Sequence, residues 1–208
     1  KVIGLAEFMS VADIVDHDDA ALANLVAFDG GHRDGHAPLL SGRELNAYAA
    51  CGIRNCHEST RADEALEKLH KGLQVLIRDG SVSKDVDVLA PLLTDRTSPF
   101  MAFCTDDRNP LDIAEEGHID HLIRKVIARG APVTAAYRAA TWSAAMGFGL
   151  RDRGRVAPGQ RADLVLVDDL EACAVRLVIK DGAPVGAETF ARPGRQPAIG
   201  YGSIKLDP

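Results

Sequence analysis

The 208-residue chain carries 24 Lys and Arg against 30 Asp and Glu, a formal net charge of −6, with 46% hydrophobic and 26% charged residues, the balance of an ordinary globular protein. With no Lys/Arg cluster and 5% aromatics it lacks the basic face that a phosphate backbone requires, which excludes a nucleic-acid binder. The length is also below the ~250 residues of a closed (β/α)8 barrel. Up to about residue 147, short apolar runs alternate with helix-period segments, the pattern of repeated βα units and a mostly parallel sheet. The expected strands are Val2 to Ala6, a short one before Gly35-His36, Gly52 to Cys56, Leu73 to Ile77, and Phe100 to Cys104. Ser41 with Glu44 predicts a capping box, and Gly52 a C′ stop after Leu45 to Cys51. Ile119, Leu122, Ile123, Val126 and Ile127 recur at one-face helical spacing until Gly130, and an Ala/Thr-rich helix is expected from Pro132 to about Met146.

Beyond that the texture changes. Leu164 to Val167 and Val175 to Ile179 read as strands, Asp181-Gly182 as a hairpin turn, and a small β appendage is expected from near residue 155. Thr189 to Pro208, rich in Gly and Pro, reads as coil. No apolar run reaches the ~18 to 20 residues that span a bilayer, so no membrane association is expected. Cys51, Cys56, Cys104 and Cys173 show no C-x-x-C spacing and no signal sequence precedes them, which points to a reducing, cytoplasmic setting. The absence of an initiator Met suggests that Lys1 is not the native start.

Parallel βα architectures build sites where strands end. Four polar groups stand there: Glu7, His36, His57-Glu58 and Asp106-Asp107. Imidazoles and carboxylates from separate strands of one sheet can converge on a divalent cation, which makes a metal-dependent hydrolase the natural hypothesis. Each also has a plainer reading: Glu7 a solvated loop acid, His36 a turn histidine before Pro38, Asp106 a helix cap. His118 and His121 form H-x-x-H on one helix face without the Glu of a zincin, so surface or substrate-loop positions suit them. Adjacent strand residues point to opposite faces, so of Cys56 and His57 only one can enter the site, and Cys56 is expected in the core.

Five motifs in order add a family resemblance. Gly4-Leu-Ala-Glu7-Phe-Met9, Asp34-Gly-His36-Ala-Pro38 with Ser41-Gly42 and Leu45-Asn-Ala-Tyr48, Cys51-Gly-Ile-Arg-Asn-Cys-His57-Glu58, Ile77-Arg-Asp-Gly-Ser81 and Cys104-Thr-Asp-Asp-Arg108 resemble the bacterial adenine deaminases of the amidohydrolase superfamily. Gly154-Arg-Val-Ala-Pro-Gly-Gln-Arg-Ala-Asp163 is similar to the segment that leaves such a barrel for a β-sandwich. The resemblance implies an α/β fold: strands four to eight of a (β/α)8 TIM barrel over residues 1–153, then part of the β-sandwich and a coil tail over 154–208. It implies deamination of adenine to hypoxanthine and ammonia at a binuclear divalent centre of manganese or iron, with zinc an alternative. Glu7 would bridge the ions, His36 and His57 would be ligands, and Asp106 would bind metal and handle the proton of water. Glu58 would protonate the purine ring, with Asp107 and His118 as substrate contacts.

The family usually has Asp before the sixth-strand His, where this chain has Cys56. Its first-strand His-x-His pair appears nowhere in the 208 residues. The resemblance therefore implies the latter part of an enzyme that needs an N-terminal barrel segment, is inactive without it, and forms a homo-oligomer when complete. Two other readings are open: another amidohydrolase, such as a cyclic amidase or amino-sugar deacetylase, or a catalytically silent piece packed against a barrel half.

Overall fold

The computed structural model describes residues 4–191. Strands β1 (Gly4–Phe8), β2 (His32–Gly35), β3 (Asn55–Cys56), β4 (Gln74–Arg78) and β5 (Met101–Cys104) form near the five expected places. Val2 and Ile3 of the first expected strand lie outside the described residues. Neighbours run parallel, β1 with β2, β3 with β4, and β4 with β5. The Arg54 N–H donates to the Arg33 carbonyl at 3.0 Å, linking β2 to β3.

Two of these strands depart from expectation. β1 runs on through Glu7, which was expected just after it. Leu5 pairs with Arg33 and Phe8 with Gly35, so Ala6 and Glu7 together oppose Asp34, a bulge of the kind that re-aims a side chain beside a site. β3 has only two residues, because Gly52 at φ +79° ends the preceding helix instead of starting the strand.

Helices α1 (Val11–Val15), α2 (Asp19–Ala27), α3 (Gly42–Ala50), α4 (Ala62–His70), α5 (Val86–Leu89), α6 (Pro110–Glu116), α7 (Ile119–Ala128), α8 (Val133–Arg138) and α9 (Ala144–Gly147) lie between and after the strands. The Ser41 capping box does not form. Carboxylates of α4 replace it: Glu67 accepts from Gly42 N at 2.9 Å and Glu64 from Leu39 N at 2.7 Å. The helix expected from Pro132 to Met146 is α8 and α9 joined by a π-helical turn, Ala139–Ser143.

All five residues of β4 are buried, as in a parallel strand covered on both faces. Val75 and Ile77 pack with Met101, Phe103 and the α7 stripe Leu122, Ile123 and Val126. Phe8, Leu45, Tyr48, Ile53 and Cys56 form a second cluster around β1 and β2. The opposite face of β4 sends Gln74, Leu76 and Arg78 inward, and this alternation places a charge at the strand's carboxyl end.

Strands β6 (Leu164–Val167), β7 (Val175–Lys180) and β8 (Ala183–Pro184) form an antiparallel sheet. Asp181 and Gly182 both have positive φ, 52° and 81°, as a type I′ turn demands. Thr189 belongs to a 3-10 turn, Ala187–Phe190, and most of the expected coil lies outside the described residues. Among the described residues no helix is long and apolar enough to cross a membrane.

Candidate active site

Glu7, His36 and His57 come from the carboxyl ends of three successive strands. Their ligand atoms all lie within 4.8 Å of one another. His57 Nε2 is 3.0 Å and His36 Nδ1 3.6 Å from Glu7 Oε2, and the two ring nitrogens are 3.4 Å apart. Two imidazole nitrogens and a carboxylate oxygen turned toward one point are electron-pair donors suited to a divalent cation, so this donor set fits the metal that the family resemblance implies.

The second layer explains why these side chains meet. Tyr48, fully buried on α3, donates its hydroxyl hydrogen to the Phe8 carbonyl and accepts from His36 N at 2.9 Å. One phenol thus ties the end of β1 to the start of the His36 loop. Burial pushes its pKa well up, outweighing the hydrogen bond at the His36 backbone, so it remains a donor. Gly35 is required there, because a Cβ would stand 2.4 Å from the Asn55 carbonyl oxygen.

Cys56 is fully buried on the other face from His57, where its Sγ lies 3.4 Å from Lys68 Nζ. Lys68, also fully buried, donates to Glu64 at 2.6 Å, Ser59 Oγ at 3.1 Å and the Glu58 carbonyl at 3.2 Å. Because Glu64 also accepts from Leu39 N and Thr60 N, this ion pair joins the loops that carry His36 and His57.

Glu58 stands beside the cluster, its Oε1 3.9 Å from His36 Nδ1. Both of its oxygens take hydrogen bonds from Arg78, one at 2.8 Å. Asp106, whose side chain is 40% exposed, does not join Glu7, His36 and His57. Its φ is +45° and its Oδ2 meets Arg78 Nη1 at 3.2 Å, so it reaches the cluster only through Arg78 and Glu58. Arg78 also contacts Asp85 at 3.0 Å. Burial works against its charge, but the hydrogen bonds and charges of Glu58 and Asp85 more than offset this and raise its pKa. Burial pushes the Asp85 carboxyl and the Cys104 thiol up as well.

Asp107 accepts from Ser81 N at 3.1 Å and Val82 N at 2.9 Å and so braces the loop after β4. His118 is the N-cap residue of α7, with its Nε2 3.0 Å from Thr105 Oγ1. His121 lies within α7 and turns to buried Asp79, which also binds Lys125 at 2.8 Å, so the H-x-x-H pair does not act as a unit. Reading the sequence assigned no role to Arg78, Tyr48 or Lys68. The first two lie in the quoted motifs, but nothing local to them marks which partners they meet.

The chain is similar to several known proteins. Over all 208 residues the chain is 65% identical to a protein named adenine deaminase from Methylobacterium nodulans and 57% identical to one from Cereibacter sphaeroides. It spans 37% of the length of each of these relatives. Among solved structures it resembles N-acetyl-D-glucosamine-6-phosphate deacetylase from Mycobacterium smegmatis, with a TM-score of 0.61 at 20% identity, covering 81% of this chain and 52% of that one. It also resembles a beta-aspartyl dipeptidase from Fervidobacterium islandicum AW-1, with a TM-score of 0.61 at 18% identity, covering 88% and 57%. At such identities these two likenesses speak to the fold alone. The amidohydrolase family model matches residues 17–185, and with that span, the parallel βα units and the strand-end cluster, the chain belongs to the amidohydrolase family.

Proposed function

We propose that this chain supplies strands four to eight of a (β/α)8 barrel, over residues 1–153, and part of a β-sandwich, over 154–208, to an enzyme that converts adenine and water to hypoxanthine and ammonia. The observation that carries the reading is the 65% identity, across the whole chain, to a protein named adenine deaminase. The convergence of Glu7, His36 and His57 supports it chemically.

In this reading Glu7, His36 and His57, with Asp106 and a His-x-His pair from the part of the relatives that this chain does not span, would hold two divalent ions, manganese or iron. Bound there, such ions would supply Lewis-acid chemistry that brings the pKa of water toward ~7. Asp106 takes the proton that water releases as its oxygen bonds to the carbon bearing the amino group. Glu58 gives a proton to the neighbouring ring nitrogen, so that the ring accepts the displaced electron pair. Asp106 then returns its proton to the amine as the carbon–nitrogen bond breaks and ammonia leaves, while the hydroxyl on that carbon becomes the carbonyl and gives its proton back to Glu58. In this reading Asp107 and His118 would be substrate contacts, both flanking the loop after β5. The setting proposed is cytoplasmic purine salvage, by a homo-oligomer.

The test compares the 208-residue chain alone with a hybrid enzyme in which it is joined, in register, to the unmatched remainder of the Methylobacterium nodulans relative. Ammonia release from adenine is measured at matched manganese. The hybrid is expected to turn over adenine and the chain alone to be inactive, since it offers neither the His-x-His ligands nor a closed strand arrangement. A hybrid that cleaves a cyclic amide or an N-acetylated amino sugar but leaves adenine intact overturns the substrate assignment.

A further inference from the structure

Within the strand-end bowl, the side chain that organises the acids is Arg78. It ends β4 with 3% of its surface exposed and meets three carboxylates from three different loops. Nη1 and Nη2 face the two oxygens of Glu58, Nη1 also reaches Asp106 Oδ2 at 3.2 Å, and Nε and Nη2 lie 3.1 and 3.0 Å from Asp85 Oδ2. Those contacts engage all three nitrogens of the guanidinium fork, an arrangement that the compact ammonium of a lysine cannot reproduce.

Asp85 is the anchor. Its side chain is 11% exposed, its backbone N–H donates to the Arg78 carbonyl at 2.9 Å, and it holds the guanidinium at Nε and Nη2. Glu58, only 3.9 Å from His36 Nδ1, would otherwise be free to swing toward the same point as Glu7. In the structure it is drawn to Arg78 instead, and the group of converging ligands contains Glu7, His36 and His57 without it.

We infer that Arg78 is a positioning residue that sorts the acids of the bowl: it holds Glu58 and Asp106 side by side at the reacting rim and keeps Glu58 off the metal ligands, leaving Glu7 to them. The inference rests on the hydrolytic reading of the site. Because Glu58 and Asp106 serve the proton transfers of the proposed reaction, the loss on removing Arg78 falls on the chemical step and not on substrate capture.

The experiment uses the hybrid enzyme with Arg78→Ala and Arg78→Lys. Each variant is followed by thermal melting, manganese content, and kcat and KM for adenine measured separately, with and without added guanidinium chloride at constant ionic strength. Arg78→Ala is expected to keep its manganese, to lose roughly 10²- to 10³-fold in kcat with KM changed by less than about threefold, and to regain activity with guanidinium but not with ethylammonium. Arg78→Lys, which keeps the charge, is expected to fold and to lose at least about tenfold in kcat, because a single ammonium cannot hold both carboxylates. An unaltered kcat in either variant overturns the inference. So does loss of manganese, failure of both variants to fold, or a loss that guanidinium does not restore, each of which makes Arg78 structural. If the unsubstituted hybrid is inactive toward adenine, the substrate reading has failed instead, and the inference is then judged by manganese affinity. Arg78→Ala must bind manganese more tightly as Glu58 joins the ligands, and the added change Glu58→Gln must remove that gain.

Discussion

Replacing Tyr48 by Phe removes one oxygen atom and leaves the ring in place, so it isolates the link between the two ligand loops from the packing around it. The phenol is fully buried, and no cavity larger than a hydroxyl results. Two hydrogen bonds vanish, from Tyr48 to the Phe8 carbonyl and from His36 N to Tyr48. Each such bond contributes ~1 kcal/mol net, and a fully orphaned buried partner costs more. Here the partners are not fully orphaned, because His36 N also approaches the Phe8 carbonyl at 3.3 Å and can close onto it. A loss of ~1 to 2 kcal/mol follows; the hybrid is about 560 residues long, since 208 residues are 37% of the relative, and at ~2.1 cal/mol/K of unfolding entropy per residue its Tm falls by about 1 to 2 °C. The same hydroxyl positions the backbone on which Glu7 and His36 ride, so manganese affinity is expected to fall by about tenfold, the lower end of the effect of an outer partner of a ligand. Differential scanning and manganese titration of the hybrid enzyme check both. A Tyr48→Phe enzyme with unchanged Tm and unchanged manganese affinity would refute the role assigned to the phenol. A loss as large as that of Tyr48→Ala would show that packing and not the hydroxyl carries the effect.

Lys68→Met strands the Glu64 carboxylate in the core and is expected to cost ~3 to 5 kcal/mol in chemical denaturation. Adding Glu64→Leu should return part of that loss, and a double variant no better than the single one would contradict the pairing. For alkaline pH the sign follows from Tyr48. Its folded pKa lies above the ~10 of a free phenol, so the folded state keeps a proton that the unfolded chain releases. The stability this provides is fully present below pH ~10 and falls as pH rises beyond it, with a shallower fall in Tyr48→Phe, readable from melting at pH 9 to 11. Glu58→Gln in the hybrid is expected to retain manganese and lose ~10² to 10⁴ in turnover, and equal activity would remove Glu58 from the proton path.

Local chemistry was enough to order the chain. Parallel strands buried on both faces show as runs such as Gln74-Val-Leu-Ile-Arg78, the α7 stripe follows the 3.6-residue period, and Gly52 and Asp181-Gly182 mark backbone that must take positive φ. Because parallel strands direct their carboxyl ends to one side, the polar residues at strand ends include three that converge, Glu7, His36 and His57. Where a residue's partner lies far along the chain, local reading failed. Ser41 reads as a cap, yet α3 takes its carboxylates from α4, some 25 residues away in the chain. Arg78 reads as the polar end of a strand, yet it gathers Glu58 from 20 and Asp106 from 28 residues away. Tyr48 reads as one more core aromatic, yet it reaches across 40 residues to Phe8. Periodicity and positive-φ stops are set by neighbours within a turn or a pleat, so the sequence alone determines them. Which carboxylate turns toward the two imidazoles and which pairs with a guanidinium depends on groups that only the packing of separate βα units brings within hydrogen-bond distance, and that is what the tertiary structure decided.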